Sequence, residues 1–197
     1  MTREINSVAV IGGGTMGAGI AGKCADAGCK VLLLEINEEA AAKAMERITG
    51  GRSPAIENPE SAKLIETGTF DDLDRIAGYD WICEAVIEDL ATKRDLFVKL
   101  DAARSPGSVI STNTSGIPLR SIVEGMPESL RRDVVVTHFF NPVKVMRLME
   151  LVPGTDTTPD VIDAFANFLG DRMGKGVVHA KDTVNFIGNR IGCFLML

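Results

Sequence analysis

The stretch VAVIGGGTMGAGIA, Val8 to Ala21, sets Gly12, Gly14 and Gly17 in the spacing G-x-G-x-x-G between a β-branched run and small residues of helical periodicity. Strand, glycine turn, then helix is the opening of a nucleotide-binding βα unit, and each glycine has a physical task there. Gly12 would make the tight turn, Gly14 would let a pyrophosphate approach the backbone, and Gly17 would let helix and strand pack closely. Thr15 and Met16 lie in the same turn, where free N–H groups and the positive helix end suit a diphosphate. A second apolar run, KVLLLEIN, ends in Glu35, about 20 residues on, where a carboxylate can accept hydrogen bonds from ribose hydroxyls. A phosphate on that ribose would be repelled, and Ile36-Asn37-Glu38-Glu39 bring no arginine to receive it. The expected cofactor is NAD rather than NADP.

The rest of the chain repeats the alternation. Apolar runs in DWICEAV, GSVISTNTS, RDVVVTH, RLMELVP and KGVVHA read as strands. Between them, Glu38 to about Ile48 reads as a helix capped by Asn37, and IEDLATKRDLFVKLDAA as a charged amphipathic helix. A further helix is expected from about Pro159 to Met173, and Pro59 is expected to begin one toward Thr67. The expected fold class is α/β: a doubly wound, largely parallel sheet of Rossmann type. Residues 1–182 form that domain. Residues 183–197 read as a linker and the first turns of a truncated C-terminal helical domain, because DTVNFIGNRIGCFLML begins an apolar helix that would need a covering partner.

Composition removes several function classes. No apolar stretch reaches the ~18–20 residues that cross a bilayer, and the N-terminus has no secretory pattern, so a cytoplasmic location without membrane contact is expected. The net charge of −6, with no basic stripe, argues against nucleic acid. Cys24, Cys29, Cys83 and Cys193 lack C-x-x-C spacing and read as small core fillers in a reducing compartment; with two histidines far apart, no metal site is expected.

One of those histidines is placed unusually. His138 ends the run VVVTH, just before a turn-forming Asn141-Pro142, with Glu150 twelve residues downstream. An imidazole, ordinarily titrating near ~6.5, can serve as a base close to neutral pH. A carboxylate on the other ring nitrogen would favour the cation that forms. A histidine packed for structure at a strand end is the other reading open on these residues.

GGGTMGAGIA, LLLEIN, EAVIEDLATKRDLF, STNTS and HFFNP, in this order over nearly the whole chain, resemble the NAD-binding domain of the 3-hydroxyacyl-CoA dehydrogenases. HFFNP followed by the glutamate is specific to that family; the glycine turn is not. RSPAIENPESAKLIETGTF and KDTVNFIGNRIG are more similar to the fused versions, which carry an enoyl-CoA hydratase module, than to the short stand-alone enzyme. The resemblance implies oxidation of 3-hydroxyacyl-CoA to 3-ketoacyl-CoA in fatty acid β-oxidation. His138 and Glu150 would be the catalytic pair, and Ser115, Asn189 and Asn141 would hold the acyl-CoA thioester. Ala85, Val86, Glu88, Lys93, Asn113 and Ser115 would join Gly12, Gly14, Thr15, Met16, Gly17 and Glu35 around the cofactor. The implied partners are the C-terminal helical domain and a hydratase module, with a homo-oligomer compatible.

The sequence departs from the family at TVNF, where many members have proline and often glycine, and the loss of proline is expected to loosen that turn. Glu35 stands where the family often has aspartate. Two alternatives stay open: a β-hydroxyacid dehydrogenase of the 6-phosphogluconate type, and an NAD-binding module without turnover of its own.

Overall fold

The computed structural model describes residues 3–195. Among them are eight strands: β1 (Ser7–Ile11), β2 (Lys30–Glu35), β3 (Ile65–Thr69), β4 (Trp81–Glu84), β5 (Val109–Thr112), β6 (Val134–Phe139), β7 (Leu148–Pro153) and β8 (Gly176–His179). They form one sheet in the order β3-β2-β1-β4-β5-β6-β7-β8. Every neighbouring pair is parallel except β6 and β7. Helices α1 (Thr15–Asp26), α2 (Glu38–Thr49), α3 (Leu90–Ala103), α4 (Leu119–Ile122), α5 (Glu128–Arg131), α6 (Pro159–Asn167) and α7 (Gly188–Leu195) connect or follow the strands.

The apolar runs split between two cores as the pleat requires. Val8 and Val10 of β1 and Val31 and Leu33 of β2 point into one cluster, with residues of α1, α2 and α6. Ala9, Ile11, Leu32 and Leu34 point to the opposite face, where Leu96, Phe97 and Leu100 of α3 cover them. A strand buried on both faces must be apolar at every position, which is why KVLLL shows no alternation. Each fully buried Leu or Phe in these layers contributes about 1.5–3 kcal/mol. The sheet is therefore doubly wound, as expected, and its strand order reverses between β1 and β4. That reversal opens a crevice at the carboxyl ends of the strands.

Three expectations need correction. The helix expected from Pro59 toward Thr67 is a 3-10 turn, Pro59–Leu64, followed by the edge strand β3. Only its first residue is buried, so IETGT carries little of the apolar signal that marks a strand. The amphipathic helix starts at Leu90, with Asp89 accepting a hydrogen bond from the Thr92 N–H as its cap, and Leu90 itself is exposed. Cys24, Cys29 and Cys83 are core fillers, with burial pushing the Cys83 thiol up to about 12, but Cys193 is exposed. No described helix is long and apolar enough to cross a membrane.

Candidate active site

The glycine turn lies at the crevice. Gly12 has φ +97°, and a Cβ there would meet the Ala85 carbonyl at 2.9 Å; a Cβ on Gly17 would lie 1.7 Å from the Gly12 oxygen. Both are buried and build the turn from inside. Gly14, by contrast, would direct a Cβ into open space, and Thr15 beside it is exposed. Gly14 caps α1 without a side-chain hydrogen bond, so the first N–H groups of the helix face an open cradle. A groove of about 600 Å³ runs from this cradle along Glu35, Ile36, Ala85, Val86 and Ile87.

At the end of β2, Glu35 accepts hydrogen bonds from the Gly13 N–H at 2.6 Å and the Ile36 N–H at 2.9 Å, which holds its carboxylate over the turn. Arg47 of α2 donates to the Gly13 carbonyl at 3.3 Å, a contact that no motif announced. An open diphosphate cradle, an apolar groove and a carboxylate at its far end fit a dinucleotide. The groups that would hold it are Gly14, Thr15 and Met16 for the phosphates and Glu35 for a ribose.

Farther along the same edge the structure gathers charge. Glu88 accepts from the Thr114 hydroxyl at 2.6 Å and from the Ser115 and Gly116 N–H groups at 2.8 and 3.0 Å. Burial alone would raise its pKa, but those donors and the Lys93 ammonium hold it below the usual carboxylate range. Lys93 is 1% exposed and pairs with Glu84 at 2.7 Å and with Glu88 at 3.4 Å. Glu84 escaped the sequence reading. Its signal was a carboxylate closing an otherwise apolar strand, WICE. The Asn113 side chain accepts from the Phe139 N–H at 3.0 Å, tying the end of β5 to the end of β6.

His138 and Glu150 face each other directly across the antiparallel β6–β7 pair. Their twelve-residue separation is what a hairpin needs to put both on one side of the sheet. His138 Nδ1 lies 2.6 Å from Glu150 Oε2, and both side chains are buried. The carboxylate's second oxygen, Oε1, accepts from the Ile187 and Gly188 N–H groups at 2.9 and 2.8 Å. The imidazole lies between Phe140 and Phe186, with ring centroids at 4.5 and 5.7 Å.

Nε2 has no hydrogen-bond partner among the described residues. No fully enclosed side-chain nitrogen or oxygen there lacks a partner, so Nε2 reaches solvent. With the carboxylate at Nδ1, the neutral ring carries its proton there and offers Nε2 as an acceptor.

Asn189 donates to the Ser115 carbonyl at 3.1 Å, linking α7 to the STNTS loop. The TVNF segment turns through Asn185 (φ 62°) and Phe186 (φ 43°). Asparagine tolerates that region better than most residues, and Phe186 is buried against the histidine. Gly188 passes so close to Phe140 that a Cβ would meet its ring at 2.7 Å. The Ser115 hydroxyl and the Asn141 amide make no hydrogen bond to a described residue, and both residues are exposed. Asn141 lines a second groove of about 470 Å³ with Thr15, Arg47, Arg52, Pro142 and Lys144. His179 lies exposed on β8, opposite Leu151 of β7. No described cluster of His, Cys, Asp and Glu could hold a metal ion.

Comparison with known proteins bears on this arrangement. The family model described as "3-hydroxyacyl-CoA dehydrogenase, NAD binding domain" matches residues 7–183. The chain is 41% identical over 199 residues to a "Probable 3-hydroxyacyl-CoA dehydrogenase" of Deinococcus radiodurans, covering 97% of this chain and 58% of that protein. It is 34% identical over 219 residues to a "Probable 3-hydroxyacyl-CoA dehydrogenase" of Bacillus subtilis, covering all of this chain and 28% of that one. The chain thus spans between about a quarter and three fifths of these relatives' length. Among solved structures it is similar to a 3-hydroxybutyryl-CoA dehydrogenase from Escherichia coli, with a TM-score of 0.85 and 35% identity over 96% of this chain and 41% of that one.

Proposed function

The chain belongs to the 3-hydroxyacyl-CoA dehydrogenase NAD-binding domain family, and from this we infer that it supplies the cofactor groove and the base for oxidation of (S)-3-hydroxyacyl-CoA to 3-ketoacyl-CoA. The observation that carries the reading is the His138–Glu150 pair at 2.6 Å, buried at the carboxyl edge of the sheet with Nε2 left free. NAD, when bound, supplies the pyridine carbon that accepts hydride from C3 of the substrate.

The chain's own residues do the rest. His138 Nε2 takes the hydroxyl proton as the alcohol is oxidised, and Glu150 stabilises the imidazolium that results. Phe140 and Phe186 pack against the ring at tilted angles and limit its rotation. Ser115 and Asn189 present polar groups beside it for the substrate's oxygens. The groove carrying Arg47, Arg52 and Lys144 offers cations to the phosphates of CoA, although Lys144 is already engaged with the Pro54 and Ile56 carbonyls.

The remaining length of the relatives leaves room for a helical domain that closes over the acyl chain, and for a hydratase module. On this reading the chain binds NADH but turns substrate over slowly unless that closing domain is present. A role in fatty acid oxidation follows from the same inference.

A substrate panel tests it. 3-Hydroxyacyl-CoA thioesters should be oxidised with NAD, and the corresponding free 3-hydroxy acids should not. Oxidation of the free acids with thioesters inert would overturn the assignment in favour of a β-hydroxyacid dehydrogenase.

A further inference from the structure

We propose that Glu84 and Lys93 are positioning residues for the cofactor site, acting through Glu88 on the loop that carries Ser115; this rests on the NAD-binding role inferred above. Glu84 is the last residue of β4, opposite Ile11 of β1 and Thr112 of β5, at the strand edge where the crevice opens. Its carboxylate is completely enclosed and fully used. Oε1 accepts from Lys93 Nζ at 2.7 Å and the Val86 N–H at 2.8 Å, and Oε2 accepts from the Thr112 hydroxyl at 2.6 Å.

Lys93 is equally enclosed, and neither residue lines the dinucleotide groove. The resemblance implies that Lys93 touches the cofactor, yet an ammonium so covered has almost no surface to offer. What it does reach is Glu88 Oε2 at 3.4 Å. Glu88 then gathers three donors of the Thr114–Gly116 loop on its other oxygen.

A buried ion pair is costly to desolvate, and apolar residues of the same size usually serve a fold at least as well. Its presence here calls for a task that apolar packing cannot perform. One ammonium between two carboxylates provides it. The cation offsets the repulsion between Glu84 and Glu88 and keeps Glu88, whose side chain is 42% exposed, turned inward onto the loop. Glu84 fixes the cation, the cation fixes Glu88, and Glu88 fixes the backbone that presents Ser115. Without the cation, Glu88 would swing toward water and release the Ser115 and Gly116 N–H groups.

Fluorescence titration with NADH and thermal melting of four variants test the proposal. Glu84→Gln and Lys93→Met should each lower the Tm and weaken NADH binding. In the Glu84→Gln/Lys93→Met double variant no buried charge is left unpaired, so the Tm should recover most of its loss. Its NADH Kd should nevertheless stay roughly tenfold above that of the unaltered chain, the size of effect that contacting residues transmit to one another. Glu88→Ala keeps the buried pair but removes the acceptor for all three loop donors, and should show the same loss of affinity with little change in Tm.

A double variant that regains both Tm and affinity would overturn the proposal, since the pair would then be only structural. So would wild-type affinity in Glu88→Ala, which remains decisive if the double variant fails to fold. The unaltered chain's own titration separates the two inferences: absent NADH binding there overturns both, whereas wild-type affinity in these variants overturns only the positioning role.

Discussion

Two buried acid–base pairs stand at the same edge of the sheet, and they differ in what each leaves free. Lys93 and Glu84 are enclosed, and the carboxylate's oxygens are filled by Lys93, Val86 and Thr112. His138 and Glu150 are almost as well buried, yet Nε2 of the imidazole has no partner among the described residues and reaches solvent. A group that must exchange a proton needs one open atom and a partner that tolerates either charge state. A group that must hold a loop needs neither. Burial alone therefore does not mark a catalytic residue; an unfilled hydrogen-bonding site on a buried, oriented ring does.

The sharpest way to break this contrast is to remove the open atom. With the closing domain present, His138→Gln should lower turnover of 3-hydroxyacyl-CoA by about 10²–10⁴-fold, the usual contribution of a general base. Its NADH affinity should be essentially unchanged, as read by steady-state kinetics beside a fluorescence titration. Near-normal turnover would make the imidazole structural. Lys93→Met addresses the other pair. It leaves an enclosed carboxylate without its cation and should cost about 3–5 kcal/mol of stability by denaturant unfolding. A loss below about 1 kcal/mol, the range of exposed pairs, would show that water enters that site.

Glu150→Gln sharpens the comparison from the acid's side. The carboxylate accepts on both oxygens, from the ring on one and from the Ile187 and Gly188 N–H groups on the other. An amide has one accepting oxygen; with that oxygen on the Ile187 and Gly188 N–H groups, its NH₂ faces Nδ1 and favours the wrong tautomer. A fall in kcat of about 10²-fold is expected, since a misplaced ring or tautomer costs at least that much in comparable dyads. Unaltered kcat would separate Glu150 from the chemistry.

The smallest effect concerns a second buried lysine. Lys175 has no ion-pair partner among the described residues and donates to the Val143 and Met146 carbonyls of the turn after His138. Burial pushes its pKa down to about 8 from 10.5, with Lys23 adding repulsion. Between those two pH values the unfolded chain binds a proton that the folded chain has released. Stability should therefore rise with pH across that window and be insensitive to this group below it. Lys175→Met should abolish the rise in a pH series of denaturant melts. Persistence of the slope would assign it to another group.

Much of this was legible in the residues, for identifiable reasons. Gly12 and Gly17 carry steric demands that no side chain can meet, so the turn was readable. KVLLL is apolar without alternation because both of its faces are covered. The hairpin carrying His138 and Glu150 was readable from two β-branched or apolar runs about a reverse turn, although its register was not. What escaped was what depends on through-space pairing. The edge strand β3 buries so little that its pattern is faint. Glu84 and Lys93 are nine residues apart on different elements, and nothing in the spacing announces that they meet. Phe186 reaches the imidazole where the chain turns through positive φ at Asn185 and Phe186, just after Val184, the position of the family's proline.

The tautomer of His138 tests the central claim most directly. Long-range ¹H–¹⁵N correlation spectra of the neutral ring report which nitrogen carries hydrogen, and His179 supplies an exposed reference in the same sample. A protonated Nδ1 with a pyridine-like Nε2 is the result expected if Glu150 sets the ring so that its free nitrogen can take a substrate proton. A protonated Nε2 in the folded chain would leave no acceptor facing the substrate and would contradict the account.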